Sequence, residues 1–170
     1  MNINLTLTTS EIDLISINSS KEFTFRYLEW NDYDKNYFDL LRQLTEAPTP
    51  SKTDFENQLN NLCKNQRTIV VENNETKTIV GSVSLIFESK FIRNLGTICH
   101  IEDFVIDSNY RAKGFGSTFL KMAESLAKFN NCYKMILSAG EKVEGFYEKF
   151  GFIKKSSNMQ KYFVEMKKKW

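Results

Sequence analysis

Residues 107–118 read DSNYRAKGFGST, placing Arg111 three positions ahead of Gly114 and Gly116 two positions beyond it. Glycines that follow a strand and open a helix leave backbone N–H groups unshielded where the helix dipole favours an anion. A phosphate or pyrophosphate is the natural occupant. A P-loop would need Gly-Lys-Ser/Thr, which the chain lacks. A dinucleotide fingerprint would need a glycine where Phe119 stands, and a place near the start of the chain rather than after a series of strands. The remaining alternatives are a different phosphate-binding loop and a plain strand-to-helix turn.

Immediately upstream, HIEDFVID carries the adjacent carboxylates Glu102 and Asp103 and the only histidine, His100. Neighbours on an ideal strand point to opposite faces, so the two carboxylates share a side only if a bulge intervenes. A lone histidine on a strand reads first as structural. Tyr147, within GFYEKFGF, falls on a short helix and is by default a core residue. Cys63, Cys99 and Cys132 are odd in number and form no C-x-x-C pair, which argues against a disulfide framework and a zinc site and for a reduced, intracellular setting. Cys99 and Cys132 read as small buried hydrophobes.

These residues need elements to hold them. KEFTFRYLEW alternates as a strand, and DYDKNYFDLLRQLTEA spaces Tyr37, Leu40, Leu41 and Leu44 as a helix face. The only prolines, Pro48 and Pro50, mark a loop, after which SKTDFENQLNNLCKN opens with capping residues of a second helix. RTIVVE, TIVGSVSLIFE and TICHIEDFVID predict three strands in an antiparallel meander, the first two joined by the turn NNETK. Phe119, Leu120, Ala123, Leu126 and Ala127 fall on one face of a helix spanning about residues 116–130. CYKMILSA predicts a buried strand, EKVEGFYEKF a short helix ended by Gly151, and the tail one or two last strands. Residues 1–20 alternate weakly and have no place in this scheme.

The 170 residues, 41% hydrophobic, suffice for one domain with a core. A net charge of +2, from 23 basic and 21 acidic residues, gives no polyelectrolyte footprint for nucleic acid. The N-terminus lacks a basic region before an apolar core, and no run approaches the length of a membrane span. The expectation is a soluble, cytoplasmic protein. The KKKW end reads as a solvated tail.

RAKGFG also fits the pattern R/Q-x-x-G-x-G/A by which acetyltransferases of the GNAT superfamily hold the pyrophosphate of acetyl-CoA. With HIEDFVID before it and CYKMILSAGEKVEGFYEKFGF after it, the chain resembles the glucosamine 6-phosphate N-acetyltransferases of that superfamily. The likeness is dense over residues 99–153, thinner in SLIFESKFIR and LRQLTEAPTP, and absent at the N-terminus. GFYEKFGF is common to GNAT enzymes, whereas HIED and CYK point to the narrower family.

The resemblance implies a mixed α/β fold, with a central, mostly antiparallel twisted sheet flanked by helices and splayed where acetyl-CoA binds. It implies acetyl-CoA as co-substrate, no metal, and a homodimer. Main-chain groups of Phe104, Val105 and Ile106 would align the thioester and pantetheine. Arg111, Ala112, Lys113, Gly114, Phe115 and Gly116 would cradle the pyrophosphate, with Ser138 and Tyr147 also on the donor side and Tyr147 beside the sulfur. Thr45, Lys90, Phe91, Ile92 and Arg93 would hold the sugar phosphate. Glu102 and Asp103 would face the amino sugar, and Tyr133 with Lys134 would complete the pocket across the dimer interface. Catalysis would rest on Tyr147, Glu102 and Asp103.

The chain departs from the family pattern twice. Ser138 stands where the family usually has Asp, and Tyr162 where it has a phosphate-binding Arg, which shifts phosphate binding onto Lys90, Arg93 or Lys161. Both departures keep a GNAT enzyme for another amine in play, such as a different aminosugar, a polyamine or a peptide. A non-catalytic acetyl-CoA-binding module is the reading from a different class.

Overall fold

The computed structural model describes residues 9–62 and 65–155, with Met159 and Lys161. Cys63, Tyr162, the KKKW end and most of the tail expected to form last strands lie outside them. The chain separates into two compact units, one within residues 1–136 and one within 137–170.

In the first unit, strands β1 (Phe23–Tyr27), β2 (Gln66–Asn73), β3 (Thr78–Ser89) and β4 (Thr97–Ile106) form an antiparallel sheet in sequence order. Strand β5 (Cys132–Leu137) lies beside β4 and parallel to it. The expected meander is present. Its first turn is made by Asn73, whose Oδ1 accepts from Glu75 N (2.9 Å) and Thr76 N (3.1 Å), with Lys77 at φ 58°.

Successive residues of β2 serve opposite cores, as the strand period requires. Val71 approaches Gly81, where an added Cβ would lie 2.8 Å from Val71, 2.8 Å from Ile106 and 3.0 Å from the Phe119 ring. Only glycine lets helix α5 (Phe115–Phe129) pack this close to the sheet. All five residues expected on the inner face of α5 are buried, and Phe119 meets Phe25 edge-on at 5.4 Å. Val70, one residue earlier, joins Tyr37, Leu40, Phe55, Ile79 and Val105 in the second core.

That second core is covered by α2 (Tyr37–Leu41) and α3 (Lys52–Asn61), while the short left-handed turn α4 (Ile92–Leu95) lies between β3 and β4. Ser51 caps α3, accepting from Asp54 N at 3.1 Å, as its position after Pro50 implied. The longer helix expected over residues 32–47 is instead a 3-10 turn, Trp30–Asp34, followed by the short α2. Asn36 at φ 61° breaks the run, and Leu44 is exposed rather than on a core face.

Buried Asp32 fixes the 3-10 turn to the sheet. Its carboxylate takes two hydrogen bonds from Arg26 (2.6 and 2.7 Å) and one from Glu29 N (2.8 Å). Arg26 also pairs with Glu72, and Lys35 Nζ reaches Glu72 at 3.0 Å and Asp32 at 3.3 Å. The N-terminal segment contributes a helix that the sequence did not announce, α1 (Thr9–Ser16), with Ile15 buried and Glu11 paired to Arg67 on β2 at 3.6 Å.

β5 is half-exposed, not the buried strand expected, and it stops before Ser138. In the second unit, α6 (Glu141–Glu148) is followed by a turn in which Gly151 takes φ 80° and Phe152 N returns to Tyr147 O at 3.3 Å. Left-handed glycine just past a helix is a common stop signal. No helix among the described residues is long and apolar enough to cross a membrane.

Candidate active site

The chemistry-bearing end of β4 departs from regular pleating. Glu102 pairs with Ser84 and Val105 with Ser82, so Asp103 and Phe104 together oppose Val83. Asp103 adopts φ 48°, and the strand carries one residue more than its partner, a β-bulge. The bulge resolves the question raised by the adjacent carboxylates. Glu102 and Asp103 are both exposed, where unbroken alternation would have buried one. It also takes local main-chain groups out of the ladder, leaving them available to a ligand.

Phe104, within the bulge, packs its ring at 6.0 Å from Phe119; beyond it, Val105 is buried in the α2–α3 core and Ile106 leans over Gly81. With these side chains committed to packing, their backbone is what they offer to a ligand.

The Arg111–Gly116 loop starts five residues after Ile106, the end of β4. Asp107 caps the 3-10 turn Ser108–Tyr110 by accepting from Asn109 N at 2.8 Å. Ala112 (φ 65°) and Gly114 (φ 87°) then turn the chain into α5. A Cβ on Gly114 would meet nothing within 4 Å, so its left-handed φ, not space, makes glycine the fitting residue. The first intrahelical bond arrives with Thr118 N to Gly114 O, which leaves the N–H groups of Phe115, Gly116 and Ser117 at the open end of the helix. Phe115 turns its ring inward against Phe23 at 4.8 Å.

The two basic residues of the loop are fixed by the protein. Arg111 Nε donates to Ile106 O at 3.3 Å, drawing the guanidinium toward the end of β4. Lys113 Nζ sits over the rings of Phe23 (5.5 Å) and Tyr110 (5.4 Å). Bare N–H groups, a helix N-terminus and two cations make a donor set that fits a pyrophosphate.

At the end of β3, Lys90 donates to Glu88, whose other oxygen lies 2.8 Å from His100 Nε2. Hydrogen bonds from Lys90 and His100 hold the Glu88 carboxyl below its usual range. His100 is thus engaged in a side-chain contact at the β3–β4 pair, consistent with a structural role. Lys90 N bonds to Gly96 O at 2.9 Å and closes a loop in which Arg93, Asn94 and Leu95 are all left-handed. Such consecutive left-handed residues are costly, roughly 1–2 kcal/mol each. The turn exposes Phe91 (96%), Ile92 (65%) and Leu95 (71%). Gly96 lies against the Tyr133 ring, and Lys134 Nζ is 5.9 Å from the centre of the same ring.

Thr45 is exposed after α2, and its N–H bonds to Leu41 O at 3.1 Å. In the second unit, Ser138 is exposed, while Tyr147 is half-buried between Phe146 (5.1 Å) and Phe152 (5.9 Å). Burial pushes its phenol above the ordinary value. Cys99 is buried, with its thiol pushed up to about 12 by burial, and Cys132 is partly buried with its thiol also raised. Neither has the lowered pKa of a nucleophile.

Two residues passed over in the sequence hold these groups. Glu88 was legible in principle, two residues before Lys90 at the end of β3. Gln43 was not, because its partners Asp107 and Ser108 are more than sixty positions away.

Residues 27–152 match the model of the acetyltransferase (GNAT) family. The chain belongs to that family. It is 38% identical over 142 residues, 82% of this chain and 90% of the relative, to glucosamine 6-phosphate N-acetyltransferase 1 of Dictyostelium discoideum. It is 36% identical over 134 residues to the Trypanosoma brucei brucei glucosamine 6-phosphate N-acetyltransferase, 77% of this chain and 89% of that one. The crystal structure of glucosamine-6-phosphate N-acetyltransferase from Arabidopsis thaliana superposes with a TM-score of 0.81 at 33% identity, covering 85% of this chain and all of that one. A Trypanosoma brucei acetyltransferase structure gives 0.80 at 34%, covering 84% and 100%. The mixed α/β GNAT fold and the expected acetyltransferase family are both borne out.

Proposed function

We propose that this GNAT acetyltransferase transfers the acetyl group of acetyl-CoA to the amino group of glucosamine 6-phosphate, giving N-acetylglucosamine 6-phosphate and CoA for UDP-N-acetylglucosamine synthesis. The acceptor is the one named for relatives that span most of both chains. The observation that carries the reading is the β4 bulge, which exposes Glu102 and Asp103 at the end of the strand that leads directly into the Arg111–Gly116 loop. An amine and an acetyl donor bound at successive turns of one chain segment are brought together without any covalent enzyme intermediate.

Acetyl-CoA supplies an already activated thioester. The protein must orient a neutral amine, stabilise negative charge on the carbonyl oxygen, and provide a proton to the leaving thiol. Glu102 and Asp103 orient the ammonium of the aminosugar and accept its proton directly or through water. The main chain around Phe104, Val105 and Ile106 supplies the N–H donors. Tyr147, kept protonated by burial, donates to sulfur. Lys90, directed by Glu88, and Arg93 suit a phosphorylated acceptor better than a cationic polyamine.

The apolar turn Phe91–Leu95 beside the half-exposed Tyr133 supports a homodimer in which Tyr133 and Lys134 complete the partner's pocket. The family match runs through both compact units, which supports treating the chain as a single domain. Free Cys99 and Cys132 support a reducing, cytoplasmic setting.

The deciding experiment follows thiol release from acetyl-CoA against amines with and without phosphate. Glucosamine 6-phosphate is expected to be the best acceptor, with glucosamine well behind it. No release with glucosamine 6-phosphate alongside turnover of another amine overturns the acceptor, and silence across the panel leaves a CoA-binding module.

A further inference from the structure

The side-chain amide of Gln43 spans two segments that the reaction must bring together. Its Nε2 donates to Asp107 Oδ2 at 2.9 Å, and its Oε1 accepts from Ser108 N at 2.9 Å. This is the one orientation of the amide that satisfies both partners, since the carboxylate only accepts and the backbone N–H only donates.

Each end of the bridge is held in turn. Asp107 Oδ1 accepts from Asn109 N at 2.8 Å, and Asp107 N donates to Val80 O at 2.9 Å, so the carboxylate is fixed to the start of the donor loop and the backbone to β3. On the other side, Gln43 N bonds to Leu40 O (3.0 Å) and Thr45 N to Leu41 O (3.1 Å). Arg42 Nη1 ties the following residues by donating to Ala47 O (2.9 Å) and Thr49 Oγ1 (3.1 Å). Thr45 therefore sits two residues from the bridge on a braced stretch of chain.

We infer that Gln43 is a positioning residue that couples the donor loop to the Thr45 segment, so that ordering one by ligand orders the other. Its role for the acceptor rests on the reading of Thr45 given above; its link to the donor loop does not. A bridge between two ligand-ordered segments gives positive coupling, since the second ligand meets a segment already fixed. Coupling of this kind is commonly about fivefold or more. Gln43 is exposed and outside the cores, so its replacement removes no core contact.

Hydrogen–deuterium exchange of the full chain, with and without saturating CoA, tests the link. In the wild type CoA should slow exchange in residues 107–116 and also in 38–46; in Gln43→Ala the protection should stop at the loop. In parallel, the KM for glucosamine 6-phosphate should rise about fivefold in Gln43→Ala while kcat stays within about twofold. If Gln43→Ala unfolds, Gln43→Glu, which keeps an acceptor for Ser108 N but opposes Asp107, serves for the same comparison. Protection of 38–46 that persists in the variant, or is absent from the wild type, overturns the inference. A wild type that binds CoA but leaves glucosamine 6-phosphate unacetylated sinks the acceptor reading alone, because the exchange comparison needs no acceptor.

Discussion

Tyr147 occupies an aromatic environment that favours the form an acid needs. Between Phe146 and Phe152, its phenol is raised by burial, so the protonated state extends further into alkaline pH than for an exposed tyrosine. If it protonates the leaving thiolate, Tyr147→Phe should lower kcat about 100-fold with little change in acetyl-CoA affinity. The basic limb of the kcat profile should also lie above the ordinary phenol range in the wild type and vanish in the variant. Steady-state kinetics across pH, with CoA binding by calorimetry, would check both, and an unchanged kcat would remove Tyr147 from the acid role. The residues most legible from sequence were those whose partners are local. Arg111–Gly116 is contiguous, and its left-handed glycine and open helix end follow from the residues themselves. Glu102 and Asp103 were visible as carboxylates but not as a pair left exposed together. The extra residue that turns both outward shows only in the pairing of β4 with β3.

Whole elements were legible where one period persisted, as in β2, β3 and α5, and illegible where a single backbone angle interrupted it. Asn36 at φ 61° splits a periodic stretch into a 3-10 turn and a short helix, and the eight residues of α1 are too few for a firm pattern. The 3-10 turn that leads into α2 is held in place by charge as well as by apolar packing. Asp32, fully buried, accepts two hydrogen bonds from Arg26, and Asp32→Ala would leave that guanidinium without its principal partner at a cost of about 3 kcal/mol. Burial pushes Glu72 upward, but hydrogen bonds from Arg26 and Lys35 more than offset this and leave its carboxyl below the usual range. A folded-state pKa lower than the unfolded one contributes stability above the unfolded value of about 4.3 and loses it as pH falls through the folded value. Urea unfolding from pH 6 down to pH 3 should therefore show an acid-dependent loss that is smaller in Glu72→Gln. Identical pH slopes in the two proteins would remove Glu72 as a source of that dependence.

At the scale of the whole molecule, the turn Phe91–Leu95 is the least self-sufficient part of the first unit. It holds three consecutive left-handed residues and turns Phe91, Ile92 and Leu95 outward, next to a Tyr133 that is 40% exposed. Strain of this kind persists only where surrounding contacts over-determine it, and an apolar cluster of this size in water is an unsatisfied surface. The proposed homodimer would cover it with a second copy of the chain. Lys90 starts the same loop and Tyr133 packs on its closing Gly96, so the surface that needs covering is continuous with residues proposed for the acceptor. Assembly and acceptor binding should then fail together. Replacing Leu95 and Phe91 with Asp should convert a dimer into a monomer in analytical ultracentrifugation and raise the KM for glucosamine 6-phosphate at least tenfold. CoA binding at the Arg111–Gly116 loop, which lies at the other end of β4, should change less than about twofold. A monomeric double variant with full acceptor affinity would separate the interface from the pocket, and a wild type that is itself monomeric would remove the dimer.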